Sequence, residues 1–233
     1  VFSYADDMFQ TAQALTDVLQ QPPEDRPLSL SVGIAASIHK LIAYHLTEPA
    51  LSLSREVRLN CRTGDTAELL KRLAQRELDI VLTDREPALS EAGHFRSYRL
   101  ASSSMSLFAT PQLARVLSAG FPARLDRQPF LATSLDAPYI SALMNWFSSQ
   151  SSRVKVVAEV DDSALIKVFG REGLGYFAAP TAISDEVCRQ YQVVHVASIQ
   201  EVRDNLYGVT RARGSHNAAV AELLRERPEL DDK

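Results

Sequence analysis

Two cysteines, five histidines and a pair of adjacent aspartates are the residues of this 233-residue sequence with the most chemistry to offer. Cys61 and Cys188 are too few for a disulfide framework or a thiolate metal cluster, and they suit a reducing compartment. Each reads either as a redox-sensing thiol or as a small packed residue, and free cysteine is usually packed. His39, His45, His94, His195 and His216 are scattered, with nothing like the H-E-x-x-H spacing that puts two ligands on one helix face. They are expected to be surface or packing histidines. No G-x-S-x-G elbow occurs, and no Cys–His or Ser–His pair follows from position alone. Gly173-Leu174-Gly175 follows a predicted helix and leads into a strand, the reverse of the order a nucleotide-binding glycine loop needs. Gly173 is expected to accept a positive φ past the helix, and Gly175 to permit close packing. Trp146, in Leu143-Met144-Asn145-Trp146-Phe147, is expected to pack a helix onto its sheet rather than stack on a ligand. No catalytic residue, cofactor or fixed metal site is assigned.

What remains is a set of short polar loops: Ala35-Ala36-Ser37, Arg62-Thr63-Gly64-Asp65, Thr83-Asp84, Thr133-Ser134-Leu135, Asp161-Asp162-Ser163 and Ala179-Pro180-Thr181. The elements that position them alternate. Leu28–Ile34, Ser54–Leu59 and Asp79–Thr83 read as strands, separated by helices over Ser37–Leu46 and Thr66–Gln75. A long extended stretch, Phe95–Ala109, follows. The order then restarts with strands Phe130–Thr133, Val154–Val160 and Leu174–Ala179 and helices Tyr139–Gln150 and Ser163–Phe169. Val193–Val196 and Asn205–Thr210 read as two further strands, and Asn217–Arg227 as a closing helix. Two β-α-β-α-β units imply parallel sheets with helices on their faces, hence two similar lobes with a cleft between them. Each polar loop then falls at the carboxyl end of a strand, where open α/β sheets collect ligands. Helix-start N–H groups and Ser/Thr hydroxyls supply donors there, although Ser37, Thr63 and Ser163 are equally read as simple helix caps.

Tyr4–Leu19 carries a helical apolar stripe (Tyr4, Met8, Ala12, Leu15, Leu19) and stops at the Pro-rich Gln21–Pro27. A lone amphipathic helix must bury that stripe on something outside itself, most simply a second copy. Val1–Asp7 has neither the basic start nor the apolar core of a secretory signal, and the missing initiator Met suggests a piece of a longer chain. No apolar run is long enough to cross a bilayer. With 45% hydrophobic and 23% charged residues and a net charge of -4, the chain is an ordinary globular protein with little non-specific affinity for nucleic acid.

Four segments together resemble the effector-binding domain of LysR-type transcriptional regulators: Leu28–Leu46, Leu69–Asp84 with Arg76-Glu77 where glycine is common, Met105–Ala114, and Val168–Pro180. A narrower likeness, to the sodium/proton antiporter activators of that family, rests on Tyr4–Phe9, Leu143–Phe147 and Asp161–Leu165. Leu89–Arg99 and Ala182–Gln200 add little to it. The resemblance implies an α/β fold of two Rossmann-like lobes joined by two crossover strands, like type 2 periplasmic binding proteins. Residues 27–106 with 207–233 would form the first lobe and 107–206 the second. The strands would cross near Leu107–Thr110 and Leu206–Thr210, and the closing helix would return to the first lobe. Residues 1–26 would be a linker and dimerisation helix leading back to a winged helix-turn-helix domain outside this chain. The implied function is cytoplasmic sensing of a small molecule or ion between the lobes. DNA would be bound only through the other domain, within a homodimer or homotetramer, without membrane contact or enzyme activity.

On that reading the expected effector contacts are Ala36, Ser37, Thr63, Gly64, Asp84, Thr110, Ser134, Asp161, Asp162 and Ala179. The adjacent Asp161 and Asp162 at a helix start would repel an anion and favour a cation or a neutral polar molecule, with Asp84 and Asp65 adding negative charge. Alternatively Asp161 is a helix cap, Asp162 a first-turn acid, and neither meets an effector. Two other functions stay open: a stand-alone solute-binding protein, which would need export, and an enzyme of the same shape, such as a transferase or deaminase, for which no nucleophile, metal or cofactor motif is present.

Overall fold

The computed structural model describes residues 27–88, 93–213 and 217–225. The expected helix Tyr4–Leu19, His216 and the end of the closing helix lie outside the described residues.

The first half builds β1 (Leu28–Ala35), α1 (Lys40–Leu51), β2 (Val57–Gly64), α2 (Thr66–Ala74) and β3 (Ile80–Thr83). The second half builds β5 (Pro129–Ala132), α4 (Pro138–Ser149), β6 (Lys155–Glu159), α5 (Ser163–Arg171) and β7 (Tyr176–Pro180). Between and after them run two long strands, β4 (Phe95–Ala109) and β8 (Val194–Arg211), with helices α3 (Pro111–Ser118), α6 (Ser184–Tyr191) and α7 (Ala218–Leu223). All eight strands join one sheet in the order β2-β1-β3-β8-β4-β7-β5-β6. The two ends repeat each other: β1 lies between β2 and β3, all parallel, as β5 lies between β6 and β7. Both halves therefore aim the carboxyl ends of their parallel strands the same way relative to their own helices, which is the arrangement the alternating pattern called for.

β4 and β8 pair antiparallel along their whole length, from Phe95↔Arg211 to Ala109↔Val194, with three register shifts. β8 pairs with β3 through Tyr207–Val209, and β4 pairs with β7 through Met105–Phe108. The crossing portion of β4 is thus the stretch just before Met105, ahead of the Leu107–Thr110 expected from sequence. The reason lies in Ser102-Ser103-Ser104: three small polar residues look like a loop, but here they are buried and their hydroxyls are bonded. The same effect merges the two expected strands Val193–Val196 and Asn205–Thr210 into one, because the polar Gln200–Asp204 between them continues the ladder through the register shifts.

One apolar cluster runs through both halves, joining Leu30, Ile34, Ile38 and Leu82 to Phe108, Leu131, Ile166 and Phe177. Separate clusters fill the other faces, around Leu69, Leu73 and Val81 in the first half and Phe130, Leu143, Phe147 and Tyr176 in the second. Trp146 packs at the margin of the latter, stacked on Phe121 at 5.8 Å, as a packing residue should. Gly173 has φ +83, and a Cβ on Gly175 would collide with the Pro129 carbonyl oxygen, so both glycines serve the backbone. α7 returns to the first half: Ala219, Val220 and Leu223 enter the shared cluster, and Asn217 Nδ2 donates to the Ser29 carbonyl at 2.7 Å. α3 and α6 were not anticipated, although Thr110-Pro111 offers a cap followed by proline at the first helical turn. Among the described residues no helix is long and apolar enough to cross a membrane.

Candidate functional site

The turn after β1 ends at His39, the N-cap position of α1, whose ring makes no capping bond and is fully buried. It faces the second half. Lys167, on the inward face of α5, reaches across so that its Nζ lies 3.1 Å from His39 Nδ1, and it donates to the Ser163 carbonyl one turn back at 2.7 Å. An ammonium can only donate, so Nδ1 accepts and the imidazole proton is assigned to Nε2. That Nε2 is buried with no partner among the described residues. Burial, reinforced by the Lys167 and Lys40 charges, holds His39 well below its ordinary value, so it is neutral. Burial also pushes Lys167 down to about 8, with Asp162 opposing and Lys40 adding to the fall. Its Nζ stands 5.8 Å over the Tyr191 ring.

Beside His39, at 6.0 Å between ring centroids, stands Tyr139 of α4, whose hydroxyl is 2.6 Å from that of Thr133 at the end of β5. Burial raises this phenol far above its ordinary value, with Thr133 partly offsetting and the charges of Asp204 and Asp84 adding to the rise. Those two carboxylates form the other side of the group. Asp84 follows β3 directly; its Oδ1 accepts from Arg85 Nε at 3.2 Å, while its buried Oδ2 is unpartnered. Asp204, in the crossing part of β8, is 5% exposed and is pushed up to about 7 by burial and then by Asp84. Arg85 adds a second bridge between the halves, its Nη2 donating to the Asp136 carbonyl at 3.2 Å. Ser163, the first residue of α5, has a buried hydroxyl without a partner.

The structure gathers only part of the set expected from sequence. Asp84 is in the buried group, and Ser134 is at its margin, its hydroxyl taking the Asp136 N–H at 3.4 Å. Ala36 and Ser37 form the half-buried turn after β1; α1 starts three residues later than expected, so Ser37 is not its cap. Thr63 is an exposed strand residue and Gly64 ends β2, where it accepts the Ala36 N–H at 3.0 Å; the cap of α2 is Asp65. Ala179 is buried in β7 opposite Ser106. Thr110 caps α3 beside Gly173, at the β7 end opposite Pro180, and so stands away from the group. Asp162, not Asp161, caps α5: its Oδ1 takes the Ala164 and Leu165 N–H groups at 2.6 and 3.2 Å, which hold its carboxyl below the ordinary range. Asp161 is exposed. The carboxylates expected to converge on a cation do not: among the described residues no group of three His, Cys, Asp or Glu side chains could hold a metal ion. His39, Lys167, Tyr139, Thr133 and Asp204 were all missed. Only Lys167 left a trace in sequence, a cation on the otherwise apolar face of α5 with Ser163, Ile166 and Gly170.

A second polar network lies along the crossing strands. Ser104 Oγ donates to Thr181 Oγ1 at 2.8 Å, and Ser106 Oγ contacts both Thr181 Oγ1 and Ser198 Oγ, at 2.8 and 2.9 Å. Ser198 Oγ in turn lies 2.9 Å from Nε2 of the exposed His195. Cys61 is exposed on β2 and Cys188 half-buried, and burial raises both thiols, which disfavours the reactive thiolate. An open depression between the end of α1 and α7, lined by Glu48, Leu53, Glu222 and Arg225, lies at the far end of α1 from His39 and includes none of the unpartnered buried atoms.

Comparison with known proteins places these features. A family model described as the LysR substrate binding domain matches residues 25–227. The Escherichia coli transcriptional activator protein NhaR is 26% identical over 224 residues, which cover 96% of this chain and 73% of that protein. Among solved structures, the reduced form of the regulatory domain of OxyR2 from Vibrio vulnificus matches with a TM-score of 0.65 at 16% identity, over 88% of this chain and 96% of that one. The Synechocystis PCC6803 CcmR regulatory domain in complex with 2-PG matches with a TM-score of 0.64 at 14% identity, over 86% and 99%.

Proposed function

The chain belongs to the LysR substrate binding domain family and is an effector-binding regulatory domain of that kind; from that premise we propose that its effector is held between the two halves of the sheet, against His39, Lys167, Ser163, Tyr139, Asp84 and Asp204. The observation that carries this reading is the buried polar group itself. Three side-chain atoms with no partner, His39 Nε2, Asp84 Oδ2 and Ser163 Oγ, come from both halves and lie at or just past the carboxyl ends of strands or at a helix start. Each costs about 1–3 kcal/mol when buried unpaired, which a stable fold does not carry without use. CcmR, a relative in fold, has been solved with a small molecule bound, which supports the same use here.

The remaining parts follow as one reading. Residues 27–106 with 207–233 form one lobe and 107–206 the other. The regulator works in the cytoplasm as a homodimer or homotetramer joined through residues 1–26. It meets DNA only through a winged helix-turn-helix domain outside this chain, and performs no catalysis. The regulators and activators that this chain resembles favour this over a secreted solute-binding protein.

The test uses the full-length regulator. With operator sites obtained by selection in vitro, footprints are compared with and without a deproteinised small-molecule extract of the cells. The wild type should change its footprint on addition, and Tyr139→Phe and Lys167→Met should respond more weakly while binding DNA unchanged. Equal responses in wild type and both variants would remove the effector from this cleft.

A further inference from the structure

We propose that the effector is a small molecule carrying both an oxyanion and an ammonium group, held with its anion at Lys167, His39 and Ser163 and its ammonium at Asp84 and Asp204. The inference rests on the cleft reading above and deepens it to a ligand class. The buried group has two poles of opposite character. At the first, every spare hydrogen-bonding capacity is a donor or can be one. His39 Nε2 carries a proton and has no acceptor, and the Ser163 hydroxyl is unpaired. Lys167 Nζ has used two of its three protons, on His39 Nδ1 and the Ser163 carbonyl. At the second pole every spare capacity is an acceptor. Asp84 Oδ2 is unpaired, since Arg85 Nε engages only Oδ1. Asp204 is buried beside it with no hydrogen bond among the described residues.

The poles do not satisfy each other. Lys167 responds to the charges of Asp162 and Lys40, and His39 to Lys167 and Lys40, while Asp204 responds to Asp84. Tyr139 stands between, its ring beside His39 and its phenol sensing both Asp204 and Asp84. A ligand with one sign of charge would complete one pole and leave the other desolvated and unpaired. A cation alone would have to enter beside a buried lysine, and an anion alone beside two buried carboxylates, each a like-charge cost in a dry site. A molecule with both groups, separated by enough bonds to pass Tyr139, completes both. An amino acid with its amine several carbons from its carboxylate fits this better than one with the two on a single carbon.

The test titrates the purified chain by calorimetry and thermal melting with glycine, β-alanine, 4-aminobutyrate and 5-aminovalerate, and with butyrate and butylamine as single-charge controls. One of the longer amino acids should bind about tenfold or more tightly than either control. Lys167→Met should abolish the advantage over butylamine, and Asp84→Asn the advantage over butyrate. Ser163→Ala is a milder change and should weaken butyrate and amino acid together even if the other variants fold poorly. Butyrate or butylamine binding as well as the best amino acid, with Lys167→Met or Asp84→Asn still weakening it, would overturn the two-pole assignment and leave the cleft reading standing. No binding by any probe would also overturn the assignment. Binding unaffected by all three substitutions would overturn both.

Discussion

Replacing Lys167 with methionine removes the buried ammonium while keeping most of its volume, and its effect on stability should reverse with pH. In the folded chain this amine is pushed down to about 8 from an ordinary value of 10.5. At about 1.4 kcal/mol per pH unit, that gap is ~3 kcal/mol spent on keeping the charge buried. Because the folded value is the lower one, the unfolded chain holds this proton more tightly. The stability that belongs to the neutral amine is therefore fully present above 10.5 and is lost as pH falls through about 8. Methionine never bears that cost, but it leaves the Ser163 carbonyl and His39 Nδ1 without their donor, at roughly 1 kcal/mol or more each. Near neutral pH the two effects oppose, and the variant should be within about 1–2 kcal/mol of the wild type. As pH rises through the window the wild type should gain ~3 kcal/mol on the variant, which then becomes clearly the less stable of the two. Urea unfolding of both proteins at closely spaced pH values measures this difference. A difference that stays flat from neutral pH to beyond 10.5 would mean that Lys167 is not held charged inside the cleft, and the electrostatic account of the site would fail.

Asp204→Asn should act in the opposite direction: the wild-type carboxyl, raised from 3.8 to about 7, contributes stability that is full below 3.8 and lost as pH rises through about 7, so the variant should be more stable above that point by a few kcal/mol and near-equal in acid, as urea melts would show. Asp162→Ala should cost about 0.5–2 kcal/mol by removing the cap of α5, whereas Asp161→Ala should be nearly silent; equal effects in thermal melts would contradict the assigned cap. Ser106→Ala should cost about 1–2 kcal/mol by cutting the hydroxyl chain between Thr181 and Ser198, with Ser198→Ala adding less on top of it than alone, because both break the same contact; full additivity in a double-mutant cycle would refute the chain.

The framework was legible because it is written in apolar alternation. β3, β4 and β5 sit within a residue of their expected ends, and the two glycines after α5 do what their order implied. What was hidden is polar structure in a buried place. Ser102–Ser104 and Gln200–Asp204 look like loop in sequence, yet each supplies the ladder that the other needs, and neither stretch announces its partner. α1 shows a smaller version of the same limit. Ser37 looked like the cap because serine commonly is, but the chain makes a turn first and leaves His39 at the helix start.

The site was harder to read than the fold for a related reason. Searching strand ends for hydroxyls and carboxylates found the loops and recovered Asp84, but a cleft is lined by whatever the facing half presents. Lysine on a helix is normally a solvated residue, so nothing local marks Lys167 as buried. Only after α5 is placed against the start of α1 does its side chain have nowhere to go but His39. The same placement answers the question of charge that Asp161 and Asp162 raised. Asp162 spends Oδ1 on backbone N–H groups of its own helix, and the nearest mobile charge is then the lysine one turn along. A helix start that reads as acidic in sequence thus presents a cation to the cleft. This makes the halves sensitive to occupancy. Lys167–His39 and Arg85–Asp136 tie them together, while the unpaired Nε2, Oδ2 and Ser163 hydroxyl oppose the tie by about 1–3 kcal/mol each. A ligand that satisfies those atoms removes the opposition without breaking the ties. It needs only that differential to shift the balance between open and closed arrangements, and the paired β4 and β8 confine the response to a small change of angle.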